Sequence, residues 1–279
     1  PIAHLRIELM NAGHDEQQIN QLESEVNDEV AEAENASRDA DAPVTTHVVK
    51  KPLHVELTHP SKQVRGDSES KDLTMCAAIR EVLENHLSND PNVYLQGQDI
   101  EDPKGDVFGV TRGLSTKFHG RVRNAPLTES TIVGTSIGRS LAGQRPVAFI
   151  QFADFLPLAY NQMTLELATM HWRTDGDWQA PVIVMAACGG YRPGLGPYHG
   201  QTFESTAAQM HGIDVFMPSC ATDAAGMLNA AFLSQRPTLY LYPKALLNDP
   251  AIATSREVSS HFTPIGTARK TRVGRDITL

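Results

Sequence analysis

Three short segments of the sequence carry side chains whose types and spacing suit chemistry. In the first, Glu129 stands just ahead of a stretch rich in glycine and serine, which is typical of the start of a helix. A carboxylate at that place commonly caps the helix and interacts favourably with its dipole. The alternative is a functional role for this carboxylate. Position alone leaves both interpretations open.

The second segment is Gln151-Phe152-Ala153-Asp154-Phe155, at the end of an apolar run. Its aromatic side chains can belong to the core, but a phenylalanine at a strand tip can also stack on a flat heterocycle. The third segment runs from Cys188 to Gln201 and contains five glycines, which let a backbone approach a ligand closely. His199 within it can act as an acid or base near neutral pH, or as a structural residue.

Several other functions are not supported by the sequence. The glycine-rich segment lacks the lysine ending of a P-loop, and its third glycine is out of place for a dinucleotide fingerprint. The 11 histidines and three cysteines show no metal-ligand spacing, and no nucleophile elbow is present. The net charge of −9 argues against nucleic acid, and no apolar run approaches the ~20 residues of a membrane helix.

A regular alternation of helices and short apolar runs, from Leu73 onward, must position these segments. Such runs predict an α/β fold with a mostly parallel sheet and helices on both faces. Ligands bind at the carboxyl ends of such strands, which selects the second and third segments. The predicted strands are 93–96, 146–151, 182–187, 214–217 and 238–241, and the predicted helices are 75–86, 131–142, 158–172, 203–211 and 223–233.

The rest of the chain predicts flanking pieces around this domain. Residues 1–40 have the pattern of two helices, with Gly13 closing the first and Asp15 capping the second. Residues 41–70 lack periodicity and contain three prolines, as in a linker or an arm draped over a surface. We expect residues 71–260 to form the α/β domain and residues 261–279 to follow it.

Taken together, the motifs resemble the beta subunit of the thiamine-diphosphate-dependent decarboxylase component of 2-oxoacid dehydrogenase complexes. They occur in the order of that family and cover roughly residues 73–250, and the Gln-Phe-Ala-Asp-Phe form is nearer the branched-chain type than the pyruvate type. The segments that carry the resemblance are Gly105 to Leu114, Pro126 to Gly138, Arg145 to Phe155 and Tyr198 to Gln201.

Both ends of the chain add to this resemblance. Residues from His4 to about Ala36 resemble the closing helices of the alpha subunit in the same family, and Phe262 to Leu279 resemble the start of its C-terminal domain. We therefore expect an alpha–beta fused chain that is truncated at both ends. The fold implied is the transketolase-like pyrimidine domain.

The resemblance implies a role for each of five residues. Glu129 matches the glutamate that hydrogen-bonds a pyrimidine nitrogen of the cofactor and so activates it, and His199 matches the histidine that faces the incoming lipoyl group. Phe155 matches the aromatic residue that stacks on the pyrimidine. Leu127 and Gln151 match residues that line the same pocket.

The implied activity is decarboxylation of a 2-oxoacid with acyl transfer to a lipoyl group. The cofactors would be thiamine diphosphate and magnesium, and an alpha-type partner domain would hold the diphosphate and the metal, because this chain lacks the Gly-Asp-Gly…Asn motif. We expect no metal ligand here, an oligomeric assembly, a lipoyl-bearing acyltransferase as partner, no nucleic acid and no membrane. The compartment would be the bacterial cytoplasm, or the mitochondrial matrix in a eukaryote.

Two alternatives remain open from the sequence. The chain alone is expected to be inactive, and it could be a non-catalytic assembly fragment whose acidic helices dock on a partner. It could also belong to another thiamine-diphosphate enzyme, such as an acetoin dehydrogenase or a transketolase-like protein.

Overall fold

The computed structural model describes residues 1–41 and 53–277. The described residues fall into two compact units, one at the N-terminus and one that contains the rest of the chain. Residues 42–52, most of the first half of the predicted linker, lie outside the described part. Within the described part, no helix is both long enough and apolar enough to cross a membrane.

The N-terminal unit consists of two helices, α1 (Ile2–Asn11) and α2 (Glu16–Asp39), as predicted. Gly13 follows α1 with a φ of 98°, a conformation that glycine adopts readily. The Asp15 carboxylate accepts from the backbone N–H of Gln18, and the Gln18 side chain accepts from the backbone N–H of Asp15, which together form a capping box. Ile19 is the buried residue of α2, so the apolar stripe of this helix is thin.

The second unit is built on a six-stranded sheet in which all pairings are parallel. The spatial order is β2-β1-β3-β4-β6-β5. This confirms the predicted α/β class and the predicted strands. The strands are β1 (Val93–Gly97), β2 (Val122–Asn124), β3 (Arg145–Phe152), β4 (Ile183–Cys188), β5 (Asp214–Phe216) and β6 (Thr238–Pro243).

The helices of this unit separate the strands along the chain. The longer ones are α4 (Met75–Asn89), α6 (Glu129–Leu141) and α9 (Ala221–Leu233). The short ones are α3 (Val55–Thr58), α5 (Leu114–Lys117), α7 (Met170–Arg173) and α8 (Glu204–Ala207). Single 3₁₀ or π segments cover Pro60–Lys62, Ala153–Ala159, Gln162–Leu167, Gly196–Tyr198, Lys244–Leu246 and Pro250–Ile252.

Alternate residues of each central strand pack on opposite faces of the sheet. In β3, Val147 and Phe149 belong to one core together with residues of α4 and α9. Ala148 and Ile150 belong to a second core together with α6 and residues 153–170. Because both faces are covered, the strands are apolar throughout and the sheet is buried on both sides.

Two predicted helices are wrong in extent. The run 158–172, predicted as one long α-helix, is a 3₁₀ segment, a π-helical segment and the short α7 in succession. Pro157 lies inside the 3₁₀ segment and has no N–H to donate to an α-helical hydrogen bond. Apolar spacing does not distinguish 3₁₀, α and π hydrogen bonding, which packing decides. The helix predicted at 203–211 is only α8, and the three-residue strand β2 was not predicted.

The described part of the predicted arm packs along the sheet domain. The backbone N–H of Ile265 donates to the carbonyl oxygen of Leu57 at 2.7 Å, and Val64 forms a bridge with Phe262. Arg65 pairs with Asp223 of α9. These contacts tie residues 57–65 to residues 262–265, whereas the domain boundaries themselves stay a prediction.

Gly97, the last residue of β1, allows this strand to lie directly against β3. A Cβ at this position would overlap the carbonyl oxygen of Phe149. We predict that Gly97→Ala lowers the free energy of unfolding by about 1–3 kcal/mol, because the two strands must separate. Gly138→Ala in α6 is the matched control: nothing lies within 4 Å of its added Cβ. That variant should be neutral or stabilising by up to ~1 kcal/mol. Denaturant unfolding of both variants measures the difference, and equal stabilities would contradict the close approach.

Candidate active site

The predicted site residues lie at the carboxyl ends of neighbouring strands. β1, β3, β4 and β6 are consecutive neighbours in the sheet, and β2 pairs with the outer side of β1. Gln98 and Asp99 come directly after β1, and Lys244 comes directly after β6. The segments containing Phe155 and His199 follow β3 and β4, as the parallel arrangement predicts.

Glu129 is the first residue of α6 and is half-buried. Its Oε1 accepts a hydrogen bond of 2.9 Å from Nε2 of Gln98. Gln98 is only 2% exposed, and its own Oε1 is buried with no hydrogen-bond partner in the described part of the chain. A rigid buried amide thus fixes the orientation of the Glu129 carboxyl group.

Sequence reasoning did not find Gln98. The observation that could have found it is its place immediately after β1, because polar side chains at carboxyl strand ends face ligands in such sheets.

Gln151 lies in β3 and reaches across to the end of β1. Its Nε2 donates to Oδ2 of Asp99 at 2.6 Å. Asp99 has a φ of 59°, an uncommon conformation for a residue other than glycine, and also pairs with Lys104 at 2.5 Å. Gln98 holds Glu129 and Asp99 holds Gln151, so two consecutive residues after β1 orient both side chains.

Phe155 and His199 come together in an aromatic cluster with Phe152. The centroid of the His199 ring lies 4.7 Å from that of Phe152 and 5.8 Å from that of Phe155, and both contacts are edge-to-face. Phe152 and Phe155 are 5.9 Å apart. Leu127, by contrast, is 76% exposed two residues ahead of α6. The structure therefore joins the second and third sequence segments and leaves Leu127 open to solvent.

Burial determines the ionisation of three groups near these strand ends. It raises the pKa of the Cys188 thiol to about 12, so this thiol stays protonated at neutral pH. It also lowers the pKa of Lys244. Burial raises the pKa of Asp106 to about 6, although backbone hydrogen bonds from Phe108 and its neighbours oppose that shift.

No metal-binding cluster is found within residues 1–41 and 53–277, where no three or more His, Cys, Asp or Glu side chains gather to hold an ion. The site offers the Glu129 carboxyl group held by the Gln98 amide, and the Gln151 amide beside the Asp99 carboxylate. It also offers an aromatic surface that includes the His199 imidazole. Those groups suit a flat heterocycle with ring nitrogens.

Comparison with known proteins identifies the family. Residues 71–250 match the transketolase pyrimidine-binding domain. The chain therefore belongs to the transketolase pyrimidine-binding domain family. A solved structure described as a split gene transketolase, an inactive beta4 tetramer, shares the fold of this pyrimidine-binding domain with a TM-score of 0.51. It is 17% identical and covers 66% of this chain and 56% of its own, so it supports the fold alone.

Curated relatives of this pyrimidine-binding domain are beta subunits. The chain is 37% identical to the 2-oxoisovalerate dehydrogenase beta subunit of Bacillus subtilis, over 72% of this chain and 61% of that protein. It is 34% identical to the pyruvate dehydrogenase beta subunit of the same bacterium, over 74% and 63%. It is 29% identical to the beta subunit of acetoin:2,6-dichlorophenolindophenol oxidoreductase of Cupriavidus necator, over 75% and 64%. The chain thus spans about three-fifths of the length of these relatives.

Asp106 gives the pyrimidine-binding domain a pH-dependent stability. Because the folded state binds this proton more tightly than the unfolded chain, the contribution is complete at low pH and is lost as pH rises through about 6. We predict that Asp106→Asn matches the wild type near pH ~3 and exceeds its unfolding free energy by about 2–3 kcal/mol near pH ~7. Urea unfolding at both pH values measures this. Asp177→Asn, at an exposed aspartate, is the matched control, and its unfolding free energy should stay within about 0.5 kcal/mol of the wild type. A pH-independent difference for Asp106→Asn would contradict the shift.

Proposed function

We propose that this chain supplies the aminopyrimidine-binding half of a thiamine-diphosphate site in the decarboxylase component of a 2-oxoacid dehydrogenase complex. The observation that carries the proposal is the Glu129 carboxyl group held by the buried Gln98 amide at the carboxyl edge of the sheet. The family match and the beta-subunit relatives support it.

The residues present fit the pyrimidine part of the cofactor. Oε1 of Gln98 has no donor among the described residues and is costly to bury in that state, and an aminopyrimidine carries N–H donors. Glu129 would hold a proton at the carboxyl oxygen that faces a pyrimidine ring nitrogen. Phe155 would pack against the ring, and Leu127 and Gln151 would border it. When bound, thiamine diphosphate supplies a nucleophilic carbon for attack on the 2-oxoacid.

The diphosphate and a magnesium ion would be held by a partner domain. An alpha-type domain is the expected partner, and the site would lie where the two domains meet. The chain would then act as part of an oligomer, and would need the partner for cofactor binding.

His199 would serve the second half of the reaction, in which the acyl group passes to a lipoyl group. The carboxyl carbon of the 2-oxoacid leaves as carbon dioxide, and the acyl carbon forms a bond to one sulfur of the lipoyl disulfide. The electron pair that loss of carbon dioxide leaves on the acyl carbon makes this C–S bond, the S–S bond breaks with its own electron pair on the second sulfur, and that sulfur becomes a thiol by taking a proton. His199 would donate that proton and orient the lipoyl group.

The acetoin-oxidising relative keeps a second substrate class open. Its 29% identity covers 75% of this chain. Turnover of 2-oxoisovalerate and pyruvate, compared with acetoin, separates the two readings. Lipoyl-dependent turnover of a 2-oxoacid supports the proposal, and turnover of acetoin alone would contradict it.

Glu129 provides the sharpest test of this function. In the full-length protein assembled with its partner domain, Glu129→Gln keeps the shape and the Gln98 contact but cannot supply the acid. We predict that decarboxylation falls about 10²- to 10⁴-fold while the midpoint of thermal unfolding stays the same. Glu84→Gln, on the outer side of α4 beside Lys117, is the matched control and should keep full activity. Near-normal turnover in Glu129→Gln would overturn the assignment.

The divided site also predicts how the cofactor binds. Titration calorimetry with thiamine diphosphate and Mg²⁺ should show weak or no binding to this chain alone, because the diphosphate is held elsewhere. Addition of the partner domain should restore binding. Equal binding with and without the partner would contradict a divided site, and no binding in either case would support a non-catalytic assembly module.

A further inference from the structure

The peptide group between His199 and Gly200 is held from both of its polar sides. Nζ of Lys244 donates to the carbonyl oxygen of His199. The N–H of Gly200 donates to Oδ1 of Asp154 at 3.0 Å. In a trans peptide the C=O and N–H groups point in opposite directions. A cation therefore faces the negative end of this peptide dipole, and a carboxylate faces its positive end.

The Asp154 carboxylate also binds the backbone of the next residue. Oδ1 of Asp154 also accepts from the N–H of Gln201 at 3.2 Å. The carbonyl oxygen of Gln201 accepts from the N–H of Gly189 at 3.0 Å. Residues following three neighbouring strands, β3, β4 and β6, therefore hold the segment 199–201.

Lys244 loses most of the hydration of its ammonium group by lying beside the His199 carbonyl oxygen. It is 5% exposed, and its Nζ lies 4.8 Å from the ring centre of Phe152 and 5.7 Å from that of Tyr191. Burying an ammonium group is unfavourable unless it is paired. Aromatic faces, the His199 carbonyl oxygen and the nearby charge of Asp154 compensate for that loss.

The segment needs such restraint because it is rich in glycine. Gly189, Gly194 and Gly196 all have positive φ values, and apart from their chain neighbours no described residue has an atom within 4 Å of a Cβ built at the last two. Packing alone therefore restrains this part of the loop weakly. The imidazole of His199, in contrast, sits edge-on to both Phe152 and Phe155.

We propose that Asp154 and Lys244 are positioning residues that fix the His199 imidazole for transfer of the acyl group to the lipoyl disulfide. This inference rests on the proposed function of His199. Neither residue contacts Glu129 or Gln98 through a hydrogen bond described for the chain, so the two should leave activation of the cofactor unchanged. The carboxylate and the ammonium act on His199 through its backbone, not on the reacting atoms.

Hydrogen exchange of backbone amides tests the geometry without cofactor or turnover. In the full-length protein, Asp154→Ala should raise the exchange rate of the Gly200 and Gln201 amides by about 10-fold or more, and Lys244→Met should raise that of Gly200 by a similar factor. Asp154→Asn keeps an acceptor and should give a smaller rise, which preserves the test should the alanine variant not fold. We call Asp154 and Lys244, with their contacts to residues 199–201, the clamp. Unchanged exchange in all of these variants would show that the clamp does not restrain the segment and would overturn the proposal.

Two variants elsewhere provide matched controls. Oδ1 of Asp67 accepts from the N–H of Glu69, and Nζ of Lys71 donates to the carbonyl oxygen of Ala253. Asp67→Ala and Lys71→Met remove the same kinds of contact, and the exchange of residues 199–201 should not respond to either. A response as large as that of the clamp variants would show general destabilisation and overturn the specific role.

Two assays of the assembled enzyme test the functional part. Reduction of 2,6-dichlorophenolindophenol with 2-oxoisovalerate reports decarboxylation without a lipoyl group, whereas acyl transfer to a lipoylated domain needs His199. The clamp variants should lose about 10- to 100-fold in kcat for acyl transfer and stay within about 2-fold in dye reduction. Lys244→Arg should restore part of the loss.

A double variant distinguishes an effect of Asp154 through His199 from a separate contribution of Asp154 to acyl transfer. If Asp154 acts through His199, then Asp154→Ala combined with His199→Ala should be no worse than His199→Ala alone. Equal losses in both assays, additive losses or no loss would each overturn the proposal. A wild-type enzyme with no activity in either assay would overturn the proposed function itself. The exchange experiment would still test whether Asp154 and Lys244 restrain residues 199–201.

Discussion

Parallel pairing of β1, β3, β4 and β6 brings the carboxyl end of each strand to one edge of the sheet. Every contact at the candidate site depends on this arrangement. The residues that follow β1 reach Glu129 and Gln151, and those that follow β3, β4 and β6 enclose His199. Because both faces of the sheet are covered by apolar cores, the strand ends are fixed and only the loops are free to carry chemistry.

The edge has two chemically different parts. The part after β1 is polar, with the Gln98 amide and the Asp99 carboxylate next to each other in the chain. The part at the ends of β3 and β4 is aromatic, with Phe152, Phe155 and the His199 ring in mutual edge-to-face contact. Hydrogen bonds become stronger where water is excluded. A buried amide such as Gln98 can therefore orient a carboxyl group that a flexible surface side chain would leave free.

Much of this fold could be predicted from the sequence, because buried parallel strands appear as short apolar runs between helical patterns. Phe155 and His199 became candidates because their segments follow predicted strands, and Glu129 because it precedes a predicted helix. The roles of all three came from the order of the motifs and stay predictions. The irregular helix around Pro157 could not be found, since several hydrogen-bond registers share one apolar periodicity. Gln98 and Lys244 were missed because single polar residues after strands are common, and only contacts across the sheet give them meaning.

We propose that Glu129 contacts the pyrimidine ring of thiamine diphosphate while Gln98 holds the Glu129 carboxyl group. The structure of the full-length assembly with the cofactor bound measures this directly. We predict a carboxyl oxygen of Glu129 within about 2.6–3.2 Å of a pyrimidine ring nitrogen, with the Gln98 contact intact. A pyrimidine ring bound away from Glu129, or a Glu129 side chain turned from Gln98 toward solvent, would contradict it.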